Sequence, residues 1–117
     1  KIRASLKRER REDAEHRGRE DLQAALKDCN EALRLRPNFV DALDSRGLMN
    51  LKGGQNKNAI ADFDAALKIN PRLTSSLYGR GLAKKRNGAV AEGDLDIANA
   101  KAMDPNIVKE FADYGVQ

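Results

Sequence analysis

The stretch VDALDSRGLMNLKGGQNKNAIADFDAALKINP, residues 40–71, decides how the whole chain is organised. It holds two apolar-periodic runs, separated by Gly53-Gly54 and closed by Asn70-Pro71. The spacing of Phe39, Val40, Leu43, Leu48, Met49 and Leu51 predicts a helix over 39–52, and that of Ala59, Ile60, Phe63, Ala66, Leu67 and Ile69 a second over 56–69. The pattern then recurs at one interval. Gly47, Leu43, Arg46, Leu48 and Gly54 are followed 34 residues later by Gly81, Leu77, Arg80, Leu82 and Gly88. Pro71 lies 34 residues from Pro37 and from Pro105, and these are the chain's three prolines. Ala66 is matched by Ala32 and Ala100, Asp62 by Asp28 and Asp96, Phe63 by Cys29 and Ile97, and Ala59 by Ala25 and Gly93. A fixed period of this length marks an array of helix pairs, each burying its apolar face on the next.

Outward from this centre, residues 21–36 form an amphipathic helix through Leu22, Ala25, Leu26, Cys29, Ala32, Leu33 and Leu35, started by Asp21 and stopped by Pro37. Residues 74–86 and 89–103 form a further pair around the Asn87-Gly88 turn, with Thr74 or Ser75 as cap. Gly93 costs the second of these helices about 1 kcal/mol relative to Ala. Asn38 is expected to cap the helix over 39–52. After Pro105 the period fails; Asn106 would cap a short helix carrying Ile107, Val108, Phe111 and Ala112 and ended by Gly115. Such a helix would cover the last exposed apolar face and mark the end of the array. Residues 1–19 read KIRASLKRERREDAEHRGR, with sparse apolar residues and Glu9, Glu12 and Asp13 where apolar residues or Gly belong. They predict a solvated helix broken at Gly18. One reading is a frayed, degenerate segment; the other is a helix that docks on a second chain or on preceding repeats.

The period, together with Leu43, Gly47, Ala59, Phe63, Ala66 and Pro71, resembles the tetratricopeptide repeat family. The third repeat matches through Gly81, Ala100 and Pro105, and the first through Ala25, Ala32 and Pro37. Arg46, Asn50, Leu77, Lys84, Gly93 and Ile97 depart from the family pattern. The resemblance implies an all-α fold: antiparallel helix-turn-helix repeats stacked as a short right-handed solenoid with a C-terminal capping helix. Residues 1–117 would form one domain, with a degenerate first repeat at 6–39, a second at 40–73, a third at 74–105 and a capping helix at 106–114. It also implies a concave groove lined by each repeat's first helix. The groove would present Asp41, Asp44, Leu48, Leu51 and Lys52 from the second repeat, and Ser75, Tyr78, Leu82, Lys85 and Arg86 from the third. Tyr78 would either anchor a partner there or pack between helices. Family members that clamp the carboxylate tail of chaperones use Lys, Asn and Arg at positions that fall here on Arg10, Ala14, Ser45, Ser75 and Gly79. Four of these cannot supply the clamp, which argues against that specialisation.

Composition narrows the function classes. A 34% charged chain with no Trp packs chiefly with Ala, Leu and Ile. The net charge of +4 comes mainly from residues 1–20, with eight Lys or Arg against five acids; residues 38–117 hold eleven against ten. No apolar run reaches the length of a membrane span. The chain opens on Lys1, which leaves the compartment undefined. One His and one Cys, on different predicted helices, supply neither a nucleophile–base pair nor a structural zinc site, so no enzyme activity, metal or cofactor is expected. Asp62/Asp64 and Asp94/Asp96 stand at i,i+2 on a helix, point apart, and read as surface charges. Lys84-Lys85-Arg86 and the N-terminal arginines raise nucleic acid, but interleaved acids and the lack of an aromatic platform argue against it. The expected partner is a protein or peptide, with an acidic end near Lys85 and Arg86. The runner-up is a structural segment that self-associates through the N-terminal helix.

Overall fold

The computed structural model describes residues 2–116, with side chains from residue 16 onward. Among the described residues all regular structure is helical: α1 (Ile2–Leu35), α2 (Val40–Lys52), α3 (Asn56–Ile69), α4 (Thr74–Arg86), α5 (Val90–Met103) and α6 (Ile107–Asp113). Each helix packs on its neighbours in sequence. In addition α2 packs on α4, and α6 lies against both α4 and α5.

Two kinds of turn alternate. The tight turns within a pair place Gly54 at φ 77° and Gly88 at φ 97°. This left-handed region is open to glycine and costly for other residues. The proline turns between pairs close alike, by backbone bonds from Phe39 N to Arg36 O, Leu73 N to Asn70 O and Ile107 N to Asp104 O, at 3.0, 3.2 and 3.1 Å. The expected side-chain caps are not used. Phe39 and Leu73, not Asn38 or Thr74, occupy the cap positions of α2 and α4, and no cap side chain bonds the helix. The backbone closure of the proline turn already sets the entry angle.

The expected break at Gly18 does not occur. α1 runs unbroken for 34 residues. The reason lies in the register: the position equivalent to Gly54 and Gly88 is Glu20, which has no ready access to the left-handed turn, while Gly18 stands two residues early and is compatible with helix. The first repeat therefore holds one continuous helix where the later ones hold two.

Two apolar clusters form the core. One gathers Leu33, Ala42, Leu43 and Ala66 across α1, α2 and α3. The other gathers Leu51, Ala59, Phe63, Tyr78, Ala83, Ala100, Ile107, Phe111 and Val116. Ile107 and Phe111 carry the period past the point where the sequence pattern lapses. They stand 34 residues beyond Leu73 and Leu77, and both are buried.

Candidate functional site

Two arginines organise the helix pairs. Arg46 on α2 grips Asp62 on α3 through Nε and Nη2, at 2.7 to 3.0 Å, and its Nη1 donates to Asn30 on α1 at 3.0 Å. Arg80 on α4 grips Asp96 on α5 at 2.8 and 3.0 Å, and its Nη1 donates to Asp64 on α3 at 3.0 Å. The buried carboxylate of Asp62 also accepts from Asn50 at 2.9 Å, and Lys84 lies 3.3 Å from Asp96. Every member of the set Asn30, Arg46, Asn50 and Asp62 has its counterpart 34 residues on, in Asp64, Arg80, Lys84 and Asp96. Donation to these carboxylates, to Asp62 and Asp96 first, raises both guanidinium pKa values above the ordinary value. Asp62 and Asp96 are thus buried structural acids, and not the surface charges expected of them.

Close approach of α2, α3 and α4 follows from two glycines facing one ring. A Cβ on Gly47 would sit 2.6 Å from the Phe63 ring, and one on Gly79 2.5 Å from its far edge. The ring, fully buried, is held between α2 and α4. Above it Asp44 on α2 accepts hydrogen bonds from Ser75 and Ser76 of α4, at 2.8 and 2.6 Å. The result is a small pocket of about 250 Å³ bounded by Asp44, Ser45, Leu48, Phe63, Ser75, Phe111 and Tyr114. α6 supplies its aromatic wall: Tyr78 meets Phe111 edge-on at 4.7 Å, and Phe111 meets Tyr114 at 6.0 Å.

Of the groove residues expected from sequence, Asp44, Leu48 and Ser75 come together at this pocket. Asp44 and Ser75 are already bonded to each other. Tyr78 is not presented to a partner; it is 7% exposed, covered by α6. Leu51 is fully buried, and Leu82 is half-buried against the same core. Lys85 turns toward α5, where its Nζ lies 2.9 Å from Asp94. Arg86 donates to the carbonyl of Leu51, at the end of α2, at 3.3 Å. The expected basic end of the groove is therefore spent on internal contacts. Asp41 is exposed in the first turn of α2. Lys52 lines a different depression, a groove of about 610 Å³ between α1 and the end of α2, with Leu22, Leu26, Met49 and Gly53. Tyr114, 50% exposed, is a pocket residue that the sequence reading passed over, and Ser45, met there only as a clamp position, lines the same pocket. Tyr114 belongs to the turn after α6, beyond the proline-marked repeats.

Cys29 is partly exposed on α1, and burial pushes its thiol pKa up; Arg46 draws it back in part, while Asp28 and Asp62 add to the rise. His16, exposed, contacts Glu20 at 2.9 Å within α1. Among the described residues no group of three His, Cys, Asp or Glu side chains could hold a metal ion. No described helix is long and apolar enough to cross a membrane. A scan against protein-family models found no match, and a search of the curated proteins found none.

Proposed function

We propose that this chain is a non-enzymatic protein-interaction scaffold of the tetratricopeptide type, stacked as a short right-handed solenoid. The observation that carries this reading is the duplicated arginine network. Two successive helix pairs repeat not only residues but contacts, at the family's 34-residue interval, and the separate bonds from Ser75 and Ser76 to Asp44 tie α4 beside α2 on one face. A rigid face of this kind spares a binding partner the cost of ordering the receptor. The partner is an extended or helical peptide segment laid along α2 and over the pocket bounded by Leu48, Phe63 and Tyr114. Tyr114 is its exposed aromatic anchor, and Asp41, Ser45 and Tyr114 supply its polar rim. Nucleic-acid binding has weaker support, because Lys84 and Lys85 face Asp96 and Asp94.

Selection of a displayed random-peptide library on the folded chain tests this proposal. Enrichment of a shared motif, lost in Tyr114→Ala and reduced in Leu48→Ala, is the expected result. No enrichment, or a motif indifferent to both substitutions, overturns the groove assignment. A second reading, a stacking segment of a larger assembly, draws on the incomplete cover of α1.

A further inference from the structure

The second helix of each later pair shows what a covered face looks like. On α3, Ala59, Phe63 and Ala66 are fully buried by α2 and its neighbours, and Asp62 is clamped by Arg46. On α5, Gly93, Asp96 and Ala100 are buried in the same way, and Asp96 is clamped by Arg80. The equivalent residues on α1, 34 positions before those of α3, are Ala25, Asp28, Cys29 and Ala32. Here the alanines and the cysteine are only half-buried, and Asp28 is exposed. Among the described residues no side chain pairs with Asp28, and α2 is the one helix whose backbone comes close to α1.

A second vacant position lies at the other end of the same face. Arg86 donates to the Leu51 carbonyl and so caps the end of α2. The residue 34 before Arg86 is Lys52, which is exposed on the rim of the groove beside α1. In the register it would meet the last carbonyls of a helix lying on α1. A cation there also suits the negative end of a helix.

The chain's own first nineteen residues do not supply that helix. Residues 2–19 continue α1 in line, and in the register a fold-back would set Glu12 where Arg46 and Arg80 stand, Glu9 at the place of Leu43 and Asp13 at that of Gly47. A carboxylate would then face Asp28, and two further acids would enter an apolar contact.

We infer that the α1 face formed by Ala25, Asp28, Cys29 and Ala32 receives an arginine-bearing amphipathic helix from a partner polypeptide. Its guanidinium clamps Asp28, and its C-terminal end meets Lys52. The chemistry required of the partner is written in α2 and α4: Leu-x-x-Arg-Gly-Leu, as in Leu43 to Leu48 and Leu77 to Leu82. Leu packs on the alanines, Arg pairs with the acid, and Gly permits close approach over Cys29. This inference does not depend on the pocket at Tyr114, which lies on other helices.

The probe is a peptide of residues 39–52, FVDALDSRGLMNLK, held helical by a staple replacing Asp41 and Ser45, which are both exposed. It is titrated against the full chain by fluorescence anisotropy, and alkylation of Cys29 is followed in parallel. Saturable binding is expected, with slowed Cys29 alkylation. Affinity should fall about tenfold or more for Asp28→Asn, or for Arg→Gln at the peptide's arginine. Pairing Asp28→Arg protein with an Arg→Asp peptide should restore part of the loss, which a folding defect would not do. No binding up to about 1 mM, binding without Cys29 protection, or affinity indifferent to both charge changes would overturn the inference. So would a concentration-dependent dimer that Asp28→Asn abolishes, since the face would then belong to a second copy of this chain. Library enrichment at Tyr114 leaves these outcomes unchanged.

Discussion

Replacing Gly79 by Ala sets two opposing effects of known size against each other. In an open helix the change stabilises by about 1 kcal/mol, because Ala restricts the unfolded chain and favours helix. At Gly79 the added Cβ would lie 2.5, 2.7 and 3.1 Å from three carbons of the Phe63 ring. The ring has nowhere to retreat: it is fully buried, and a Cβ at Gly47 would sit 2.6 Å from its Cε1 carbon. Overpacking of this kind costs about 1–3 kcal/mol, and the displaced ring also strains the contact with α2. The clash outweighs propensity, so Gly79→Ala should lower stability by about 1 kcal/mol net, a fall in Tm of about 4 °C for a chain of this size. Gly18→Ala is the control. Its Cβ would meet nothing within 4 Å, and the helical signal in circular dichroism should rise without loss of stability. Phe63→Leu removes the obstacle, so the double variant should be less damaged than the sum of the singles by about 1 kcal/mol. Urea denaturation with a constant m-value measures the four variants beside wild type. A Gly79→Ala chain as stable as wild type, or strict additivity with Phe63→Leu, would refute the ring clamp.

Three further outcomes follow from the same contacts. Asp62→Ala strands the buried amide of Asn50 and releases Arg46, whose side chain is 30% exposed and can turn to water; the cost should be about 2–3 kcal/mol in urea denaturation, below that of breaking a fully buried ion pair. Tyr78→Ala opens a cavity beneath Phe111 and should cost about 3 kcal/mol or more, whereas Tyr114→Ala should change stability by less than about 0.5 kcal/mol, read from the two thermal midpoints. The raised Cys29 thiol should alkylate more slowly near about pH 8 in the folded chain than in denaturant, and stability should decline as pH rises above the ordinary thiol range, since the unfolded thiol loses its proton first.

The repeating glycines, prolines and alanines made α2 to α5 and most of their boundaries readable, because each answers to local geometry or close packing. Glu20 was equally informative, since a non-glycine at the turn position forbids the break that Gly18 had suggested. The arginine network was harder to see. Arg46 and Arg80 read as departures from a family pattern, and Asp62 and Asp96 as surface charges, when each was weighed within its own helix. The constant 16-residue offset between each arginine and its acid, repeated at 34, was the available signal. Tyr78 could not be resolved in advance, because its burial depends on where Phe111 comes to rest. Phe111 keeps the 34-residue interval from Leu77, but the interval alone does not say that a ring there covers Tyr78.

The reach of each arginine has a mechanical consequence. Arg46 touches α1 and α3, and Arg80 touches α3 and α5, so every guanidinium spans the joint between adjacent pairs as well as the pair it belongs to. Sliding one pair past the next by a single helical turn, about 5.4 Å, would pull each guanidinium off its acceptor on the preceding helices, Asn30 or Asp64, while the acid of its own pair still held it. The joints therefore have indexed positions, as gear teeth do. The register of one helix pair on the next is thus marked by a directional polar contact as well as by the looser fit of alanine and leucine.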